Sequence, residues 1–89
     1  MSAQIEWRVE VSEQAEKQIA RLPRPGRERV LRGLERLEKG PYHQNVKPLK
    51  ARAEWSLRVG GWRALLRVDH QTRVIVVVAI DSRGDIYKG

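Results

Sequence analysis

Cysteine is absent from this 89-residue sequence, and no apolar run approaches the length of a membrane-spanning helix. Without thiols the chain forms neither a disulfide framework nor a thiolate metal site, so an intracellular, cytoplasmic protein is the simplest expectation. The longest apolar run, Val74 to Ile80, is too short for a signal peptide or a transmembrane helix and suits a buried strand. With no cysteine to accompany His43 or His70, we expect no metal site. We also expect no cofactor and no contact with membranes.

Acidic residues are also in short supply, since 11 aspartates and glutamates stand against 18 lysines and arginines and leave a net charge of +7. Most of the basic residues are arginine, whose planar guanidinium binds phosphates and carboxylates through paired hydrogen bonds. A nucleic acid or an acidic protein is therefore the expected partner, with an inert basic surface as the alternative. At this length the chain is one domain, residues 1–89, with a small core.

The first half of the chain predicts one strand followed by two helices. The strand is defined by alternating apolar residues: Ile5, Trp7, Val9 and Val11. Ser12 is a typical N-cap for the first helix, which should end at Leu22, and Pro23 to Gly26 then forms a short connection. The apolar face of the second helix consists of Val30, Leu31, Leu34 and Leu37. Gly40-Pro41 ends this helix, and such a tight helix pair can pack on a sheet.

The second half predicts three or four antiparallel strands. Tyr42 to Ala53 lacks a clear periodicity and is interpreted as a loop. A β-hairpin follows with its turn at Gly60-Gly61, which places Arg58 directly opposite Arg63. Like charges in such a pair destabilise a sheet unless they bind an anion or splay into water. The segment Arg73 to Ile80 predicts a central strand.

The expected fold class is therefore α+β, with an antiparallel helix hairpin packed on a small twisted antiparallel sheet in the order β-α-α-β-β-β. Residues 86–89 form at most a short final strand. Three tryptophans fall in the apolar phase of their strands and are expected in the core: Trp7, Trp55 and Trp62.

The strand directions bring several functional groups to one end of this sheet. Arg58 ends the second strand, Arg63 begins the third, and Arg83 follows the fourth. Tyr87 can fold back to the same end. The turn at Asp69-His70 lies at the opposite end, a strand length of roughly 15–20 Å away. We therefore expect a cluster of guanidiniums and one phenol that is suited to binding a phosphate.

The hairpin sequence Leu57-Arg58-Val59-Gly60-Gly61-Trp62-Arg63, with Ile80-Asp81-Ser82-Arg83-Gly84-Asp85-Ile86-Tyr87 at the end of the chain, resembles the RelE branch of the RelE/ParE toxin superfamily. The helix that ends in Arg21-Leu22-Pro23 and the segment Val46-Lys47-Pro48-Leu49-Lys50 fit the same pattern. The resemblance implies a RelE-like fold and a type II toxin that cleaves messenger RNA in the ribosomal A site, as a metal-independent, ribosome-dependent endoribonuclease. It also implies a RelB-like antitoxin with an acidic segment. The complex of toxin and antitoxin is then expected to bind operator DNA through the antitoxin.

The resemblance assigns catalytic roles to three residues. Arg63 matches the arginine that stabilises the phosphate, and Arg83 matches the arginine that donates a proton to the leaving 5′ oxygen. Tyr87 matches the tyrosine that orients and stacks on the substrate nucleotide. Attack of a 2′-hydroxyl on its own phosphate builds charge that fixed guanidiniums stabilise, and it leaves a 2′,3′-cyclic phosphate and a 5′-hydroxyl.

The sequence departs from the family pattern where Glu54 and Ser56 replace the usual lysines of the second strand. Four basic residues are candidates for binding the substrate: Arg58, Lys47, Lys50 and Arg52. The general base is not identified, because arginine and tyrosine are poor bases at their ordinary pKa. Two alternatives stay open, a ParE-like inhibitor of DNA gyrase and a non-catalytic member that acts only in a regulatory complex of antitoxin and DNA.

Overall fold

Two helices cover one face of a five-stranded sheet in the computed structural model, which describes residues 7–42, 45–49 and 54–82. This arrangement confirms the predicted α+β class. Within these ranges no helix combines the length and the apolar character needed to cross a membrane. The elements in chain order are β1 (Arg8–Val11), α1 (Glu13–Ala20), α2 (Arg24–Arg36), a 3₁₀ turn (Leu37–Lys39), β2 (Val46–Pro48), β3 (Glu54–Val59), β4 (Trp62–Asp69) and β5 (Val74–Ser82).

The strands lie in the order β1-β5-β4-β3-β2, and the sheet is mixed. β1 runs parallel to β5, with Arg8 paired with Val74 and Val11 paired with Val77, whereas the other neighbours are antiparallel. The expectation of an antiparallel sheet is therefore wrong for β1. Alternation within a strand does not specify the direction of its neighbour, and the buried β5 requires backbone partners on both sides.

The segment predicted as a loop, Tyr42 to Ala53, contains the short strand β2. This strand pairs with β3 and places Lys47 opposite Ser56. The N–H of Arg58 also donates to the carbonyl oxygen of Asn45 at 2.9 Å, which joins the start of β2 to the end of β3. The loop prediction is wrong for this part because three residues are too few to establish an alternating pattern.

The first helix begins where the sequence predicts. The hydroxyl of Ser12 accepts a hydrogen bond from the N–H of Ala15 at 3.0 Å, which confirms Ser12 as the N-cap. The helix ends at Ala20, earlier than the predicted end at Leu22. Backbone N–H groups of both following residues bond to the last turn, so the chain leaves the helix through a tight turn before Pro23.

The second helix begins earlier than predicted, at Arg24. Pro25 and Gly26, expected in the connection, lie in its first turn, where the missing N–H of proline costs no intrahelical hydrogen bond. Leu31 was assigned to the apolar face by its spacing, but 46% of it is exposed, so that assignment is wrong. The other three residues assigned to that face are buried: Val30, Leu34 and Leu37.

The hairpin has the predicted register. Val59 pairs with Trp62 and Arg58 pairs with Arg63 around the two-glycine turn. Gly60 has φ +56°, a left-handed conformation that residues with a Cβ rarely adopt. The turn chemistry therefore fixes which residues of β3 and β4 face each other.

The core lies between the helices and the sheet. The sheet contributes its most deeply buried side chains, which are Leu57, Leu66, Ile75 and Val77. Trp7 is buried, and Trp55 and Trp62 are partly buried and pack against this cluster, so the core prediction for the tryptophans is confirmed. α2 packs closely against β3 at Gly33, since a Cβ at this position would lie 2.7 Å from Cγ2 of Val59.

A β-bulge interrupts β5 at Val78. Leu65 pairs with Ala79 and Leu66 with Val77, which leaves Val78 as the extra residue. β1 ends beside Val77, and the N-cap residue and a side chain of α1 continue the hydrogen bonding beyond it. The Ser12 hydroxyl donates to the carbonyl oxygen of Val78 at 2.8 Å, and Oε1 of Gln18 accepts from the N–H of Ile80. α1 therefore covers the outer edge of β5 where β1 no longer does.

Candidate functional site

The helices leave the opposite face of the sheet uncovered, and polar side chains of three neighbouring strands meet there. Because side chains alternate between faces, Ser56 and Arg58 of β3 share this face with Arg63 of β4 and Lys47 of β2. With Asn45, these four residues line a cavity of about 140 Å³, which we call the cradle. The structure thus brings together three of the predicted site residues, Arg58, Arg63 and Lys47.

The two cradle arginines differ in their surroundings. Arg58 is exposed, whereas Arg63 is half-buried and its Nε atom is fully buried. A guanidinium held among packed side chains loses less freedom when it binds an anion, and its charge acts through a less polar medium than water. Arg63 is therefore the better placed of the two to stabilise charge at a fixed position.

An acidic residue stands on the other side of Arg63. Asp81 of β5 is its register partner, so the row across the sheet reads Arg58, Arg63, Asp81. The bulge at Val78 sets the pairing of this last part of β5 with β4. The carboxylate bounds the basic region on that side, and the positive charge is concentrated towards Arg58 and Lys47.

Ser56 forms the base of the cradle. Only 8% of it is exposed, and it lies opposite Lys47 on one side and Leu65 on the other. A small hydroxyl residue here leaves space between the longer side chains of Lys47 and Arg63. The combination of space with three surrounding cations suits the binding of a phosphodiester group.

Several residues of the site were not identified from the sequence. Asn45 and Ser56 line the cradle, and Asp81 flanks it. The sequence showed Ser56 only as the replacement of a lysine, and Asn45 lies in a segment without periodicity. The face of the sheet on which Asp81 lies depends on the bulge in β5, which the sequence pattern does not show. Four predicted site residues lie outside the described residues: Lys50, Arg52, Arg83 and Tyr87.

The opposite end of the sheet carries the turn between β4 and β5, as predicted. His70 is exposed, and its ring centroid lies 5.7 Å from Trp7 and 6.0 Å from both Tyr42 and Trp55. This cluster fixes the turn at the end of the sheet remote from the cradle. Within the ranges described, no three histidine or carboxylate residues converge as a metal site would require.

The pKa of Asp69 in the same turn is lowered by hydrogen bonds to its carboxylate. The largest contributions come from the backbone and side chain of Thr72, followed by the backbone N–H of Gln71, which lies 2.9 Å from Oδ1. These bonds favour the charged form of the carboxyl group. They belong to the turn and not to the cradle.

Residues 9–87 match the family model described as ParE toxin of type II toxin-antitoxin system, parDE. Curated protein sequences contain no significant match to this chain. The matched segment includes the whole of the cradle.

Solved structures of toxin-antitoxin proteins have a similar fold. The RelBE2 toxin-antitoxin complex from Mycobacterium tuberculosis contains a chain with 25% identity and a TM-score of 0.77, over 86% of this chain and 98% of that one. The RelE-RelB complex of Pyrococcus horikoshii OT3 contains a chain with 25% identity and a TM-score of 0.75, over 88% of this chain and 96% of that one. The ParDE system of P. aeruginosa gives 12% identity and a TM-score of 0.71, over 89% and 98%, a likeness that shows the fold alone.

Proposed function

The chain belongs to the ParE toxin family of type II toxin-antitoxin systems, within the RelE/ParE superfamily, and from this premise we propose that it is a RelE-like messenger RNA interferase. The proposed activity is cleavage of messenger RNA on the ribosome, at the A site. The observation that carries the proposal is the cradle, in which Arg58, Arg63 and Lys47 surround the buried Ser56 on an open sheet face. Cationic residues around a small cavity fit a phosphodiester better than they fit a flat protein contact.

The proposed reaction uses a hydroxyl of the substrate as its nucleophile. The 2′ oxygen forms a bond to the neighbouring phosphorus as the bond to the 5′ oxygen breaks, which gives a 2′,3′-cyclic phosphate and a 5′-hydroxyl. One proton leaves the 2′-hydroxyl and one is delivered to the 5′ oxygen. Arg63 supports this reaction by holding its guanidinium against the phosphoryl oxygens, on which negative charge increases in the transition state.

The remaining roles are assigned by the family resemblance and by chain position. β5 ends at Ser82, the register partner of Trp62, at the cradle end of the sheet. Arg83 is the proposed proton donor to the 5′ oxygen, and Tyr87 is the proposed residue that orients the nucleotide.

Lys47 is the proposed replacement for the missing lysines of the family pattern. It lies opposite Ser56, which occupies one of those positions, and it projects onto the same face. An ammonium from the neighbouring strand can therefore supply the positive charge that β3 lacks. Lys50 and Arg52 are proposed to bind the substrate backbone with it, as is Arg58.

The proposed partners are messenger RNA, the ribosomal A site and a RelB-like antitoxin. The M. tuberculosis and P. horikoshii chains, each 25% identical to this one, are both found in complexes with an antitoxin. The net charge of +7 suits RNA as well as an acidic antitoxin segment. Binding of the toxin-antitoxin complex to operator DNA is proposed to occur through the antitoxin.

An assay of messenger RNA cleavage on translating ribosomes tests this proposal. The purified protein is added to an in vitro translation reaction, and the 3′ ends of the message are mapped for cuts at codons in the A site and for cyclic phosphate ends. Intact message at a stoichiometric amount of protein would refute it.

The description of the matching family model favours a second candidate, inhibition of DNA gyrase through a protein contact. A supercoiling assay with the same preparation distinguishes the two activities. Inhibited supercoiling together with intact message would favour the second candidate. Failure in both assays would favour a non-catalytic member that acts only with its antitoxin on DNA.

A further inference from the structure

Asp81 is an acidic residue beside the cradle, and the roles proposed above do not include it. It lies on β5 as the register partner of Arg63, and it is half-buried. Neighbouring strands are about 4.8 Å apart, so a phosphate held by the guanidinium of Arg63 has the carboxylate of Asp81 as its neighbour on the β5 side. The row across the sheet therefore places a carboxylate next to the position of the proposed reaction.

The β-bulge at Val78 determines the face of the sheet on which Asp81 lies. Val77 is fully buried in the core, and strict alternation from this residue would turn residue 81 towards the core as well. The extra residue reverses the alternation, so that Ile80 is buried and Asp81 shares the open face with Arg63. Bulges are common beside active sites, where they redirect a side chain in this way.

Two hydrogen bonds from the first part of the chain hold the backbone on both sides of the bulge. The hydroxyl of Ser12 donates to the carbonyl oxygen of Val78 at 2.8 Å. The N–H of Ile80 donates to Oε1 of Gln18 at 2.7 Å. The residue that precedes Asp81 is thus fixed by a side chain of α1, and such support is what a side chain needs to be held at a reacting group.

The carboxylate of Asp81 is available to a substrate. In the part of the chain that the structure describes, no hydrogen bond or ion pair engages its oxygen atoms. Carboxylates are among the side chains that act as general bases in enzymes. An acceptor without a fixed partner, beside a guanidinium that binds phosphate, suits the removal of a proton from a hydroxyl next to that phosphate.

Two other described residues with proton-accepting side chains lie far from Arg63. Glu54 shares the open face, but it is four residues from Arg58 along β3, which is roughly 13 Å. It also lies 4.0 Å from Nε of Arg67, with which it forms an ion pair. His70 lies in the turn at the remote end of the sheet. The carboxylate that borders the cradle on the open face is therefore that of Asp81.

We propose that Asp81 is the general base of the cleavage reaction, an assignment that rests on the proposed function. Its carboxylate removes the proton of the 2′-hydroxyl as the 2′ oxygen bonds to phosphorus. The bond from phosphorus to the 5′ oxygen breaks, and the 5′ oxygen takes its proton from the acid, for which Arg83 is proposed. Water then accepts the proton from Asp81 and returns one to the acid.

Single-turnover cleavage of a synthetic message bound to ribosomes tests this assignment. Asp81→Asn keeps the size of the side chain but removes the base, so the rate at saturating protein should fall by about 100-fold or more. The protein concentration that gives half of the maximal rate should not rise, because the substitution removes a negative charge beside an anionic substrate. Asp81→Glu retains a carboxylate and should cleave at least about tenfold faster than Asp81→Asn.

Glu54→Gln is the matched control, because it removes a carboxylate from the same face at the far end of β3. It should cleave within about threefold of the wild type, since its distance from the cradle exceeds the range of an exposed charge at physiological salt. Circular dichroism should show that all three variants keep the fold. A wild-type rate in Asp81→Asn, or equal losses in Asp81→Asn and Glu54→Gln, would overturn the assignment.

A message with sulfur in place of the bridging 5′ oxygen distinguishes a base from an acid. A thiolate leaves without taking a proton, so this substrate should restore much of the rate that a variant of the acid has lost, as expected for Arg83→Ala. It should not restore the rate of Asp81→Asn, because the 2′-hydroxyl must still lose its proton. Recovery of the Asp81 variant on the sulfur substrate would overturn its assignment as the base.

The wild-type protein and the variant together distinguish the two possible failures. If the wild type leaves the message intact on ribosomes, the proposed function fails and the assignment of Asp81 fails with it. If the wild type cleaves the message and Asp81→Asn cleaves it equally fast, the proposed function stands and the assignment of the base alone is refuted.

Discussion

Arg58 and Arg63 are direct cross-strand partners on β3 and β4, and the same two strands pair Glu54 with Arg67 further along. One hairpin therefore contains a like-charge pair and an opposite-charge pair on the same face. The opposite-charge pair has Nε of Arg67 4.0 Å from Oε2 of Glu54. The like-charge pair costs stability at the Arg58 end of the hairpin, which is the end that borders the cradle.

The first prediction concerns the stability cost of the arginine pair. Arg58→Thr should raise the free energy of unfolding by about 0.2–1 kcal/mol at low salt, because it removes cross-strand repulsion and introduces a good strand former. The gain should shrink at high salt, where surface charges are screened. Urea unfolding at two salt concentrations measures it.

Arg67→Thr is the matched control for this experiment. It introduces the same residue on the neighbouring strand but breaks the pair with Glu54, so it should give no gain at low salt. A gain of similar size in both variants would mean that strand propensity, and not repulsion, explains the effect.

The second prediction concerns catalysis by Arg63. Arg63→Ala should reduce ribosome-dependent cleavage by about 100-fold or more, because a preorganised charge at the phosphoryl group is lost. Circular dichroism should show that the fold is retained. Arg67→Ala lies on the same strand and face and should cleave within a few-fold of the wild type. Normal cleavage by the Arg63 variant would refute the assignment of the cradle as the active site.

The third prediction tests the contact between α2 and β3. Gly33→Ala should lower the free energy of unfolding by about 1–3 kcal/mol, because the new Cβ would overlap Val59 at 2.7 Å. Adding Val59→Ala should recover part of the loss, which a double-mutant cycle measures. Gly61→Ala is the control, because nothing lies within 4 Å of a Cβ built there. Additive effects of the two substitutions would contradict the close approach.

The fourth prediction concerns the way α1 holds the outer edge of β5. The N–H of Ile80 donates to Oε1 of Gln18 at 2.7 Å, and Gln18→Ala removes this acceptor. Hydrogen exchange at the Ile80 amide should become roughly tenfold faster or more, since a buried donor loses its partner. Gln14→Ala, an exposed position of the same helix, should leave that amide unchanged. Unchanged exchange in the Gln18 variant would show that the bond does not hold the strand.

The fifth prediction is a dependence of stability on pH at the β4–β5 turn. Hydrogen bonds lower the pKa of Asp69 from its ordinary value of 3.8, the largest cause being the backbone of Thr72. A carboxyl group whose pKa is lower in the folded than in the unfolded state stabilises the fold. This stability is fully present at a pH above the pKa of the unfolded state, and it is lost as the pH falls through the pKa of the folded state. Asp69→Asn keeps an acceptor oxygen but removes this titration. It should therefore lose less stability than the wild type between about pH 5 and pH 2.

Urea midpoints across this pH range measure the difference. Glu35→Gln, which removes an exposed carboxylate of α2, should follow the wild type. Identical acid sensitivity of the wild type and Asp69→Asn would show that these hydrogen bonds do not stabilise the folded state.

Much of the site follows from local sequence patterns. The glycine pair of the hairpin determines that Arg58 faces Arg63, and alternation puts both on the face away from the core. Lys47 was one of three basic candidates from an assumed loop, and its selection required β2. Arg83, Tyr87, Lys50 and Arg52 stay predictions.

The sequence by itself determined the elements that depend on neighbouring residues. The N-cap at Ser12, the two helices, the hairpin register and the α+β class all follow from side chains within a few positions of each other.

The tertiary structure decided what depends on residues far apart in the chain. The parallel pairing of β1 with β5, the strand β2 and the bulge at Val78 each exist because backbone groups must find partners in another segment. The hydrogen bond from Ser12 to Val78 spans 66 positions. No local pattern encodes such a contact, and through the bulge and β2 these distant contacts set the two sides of the cradle.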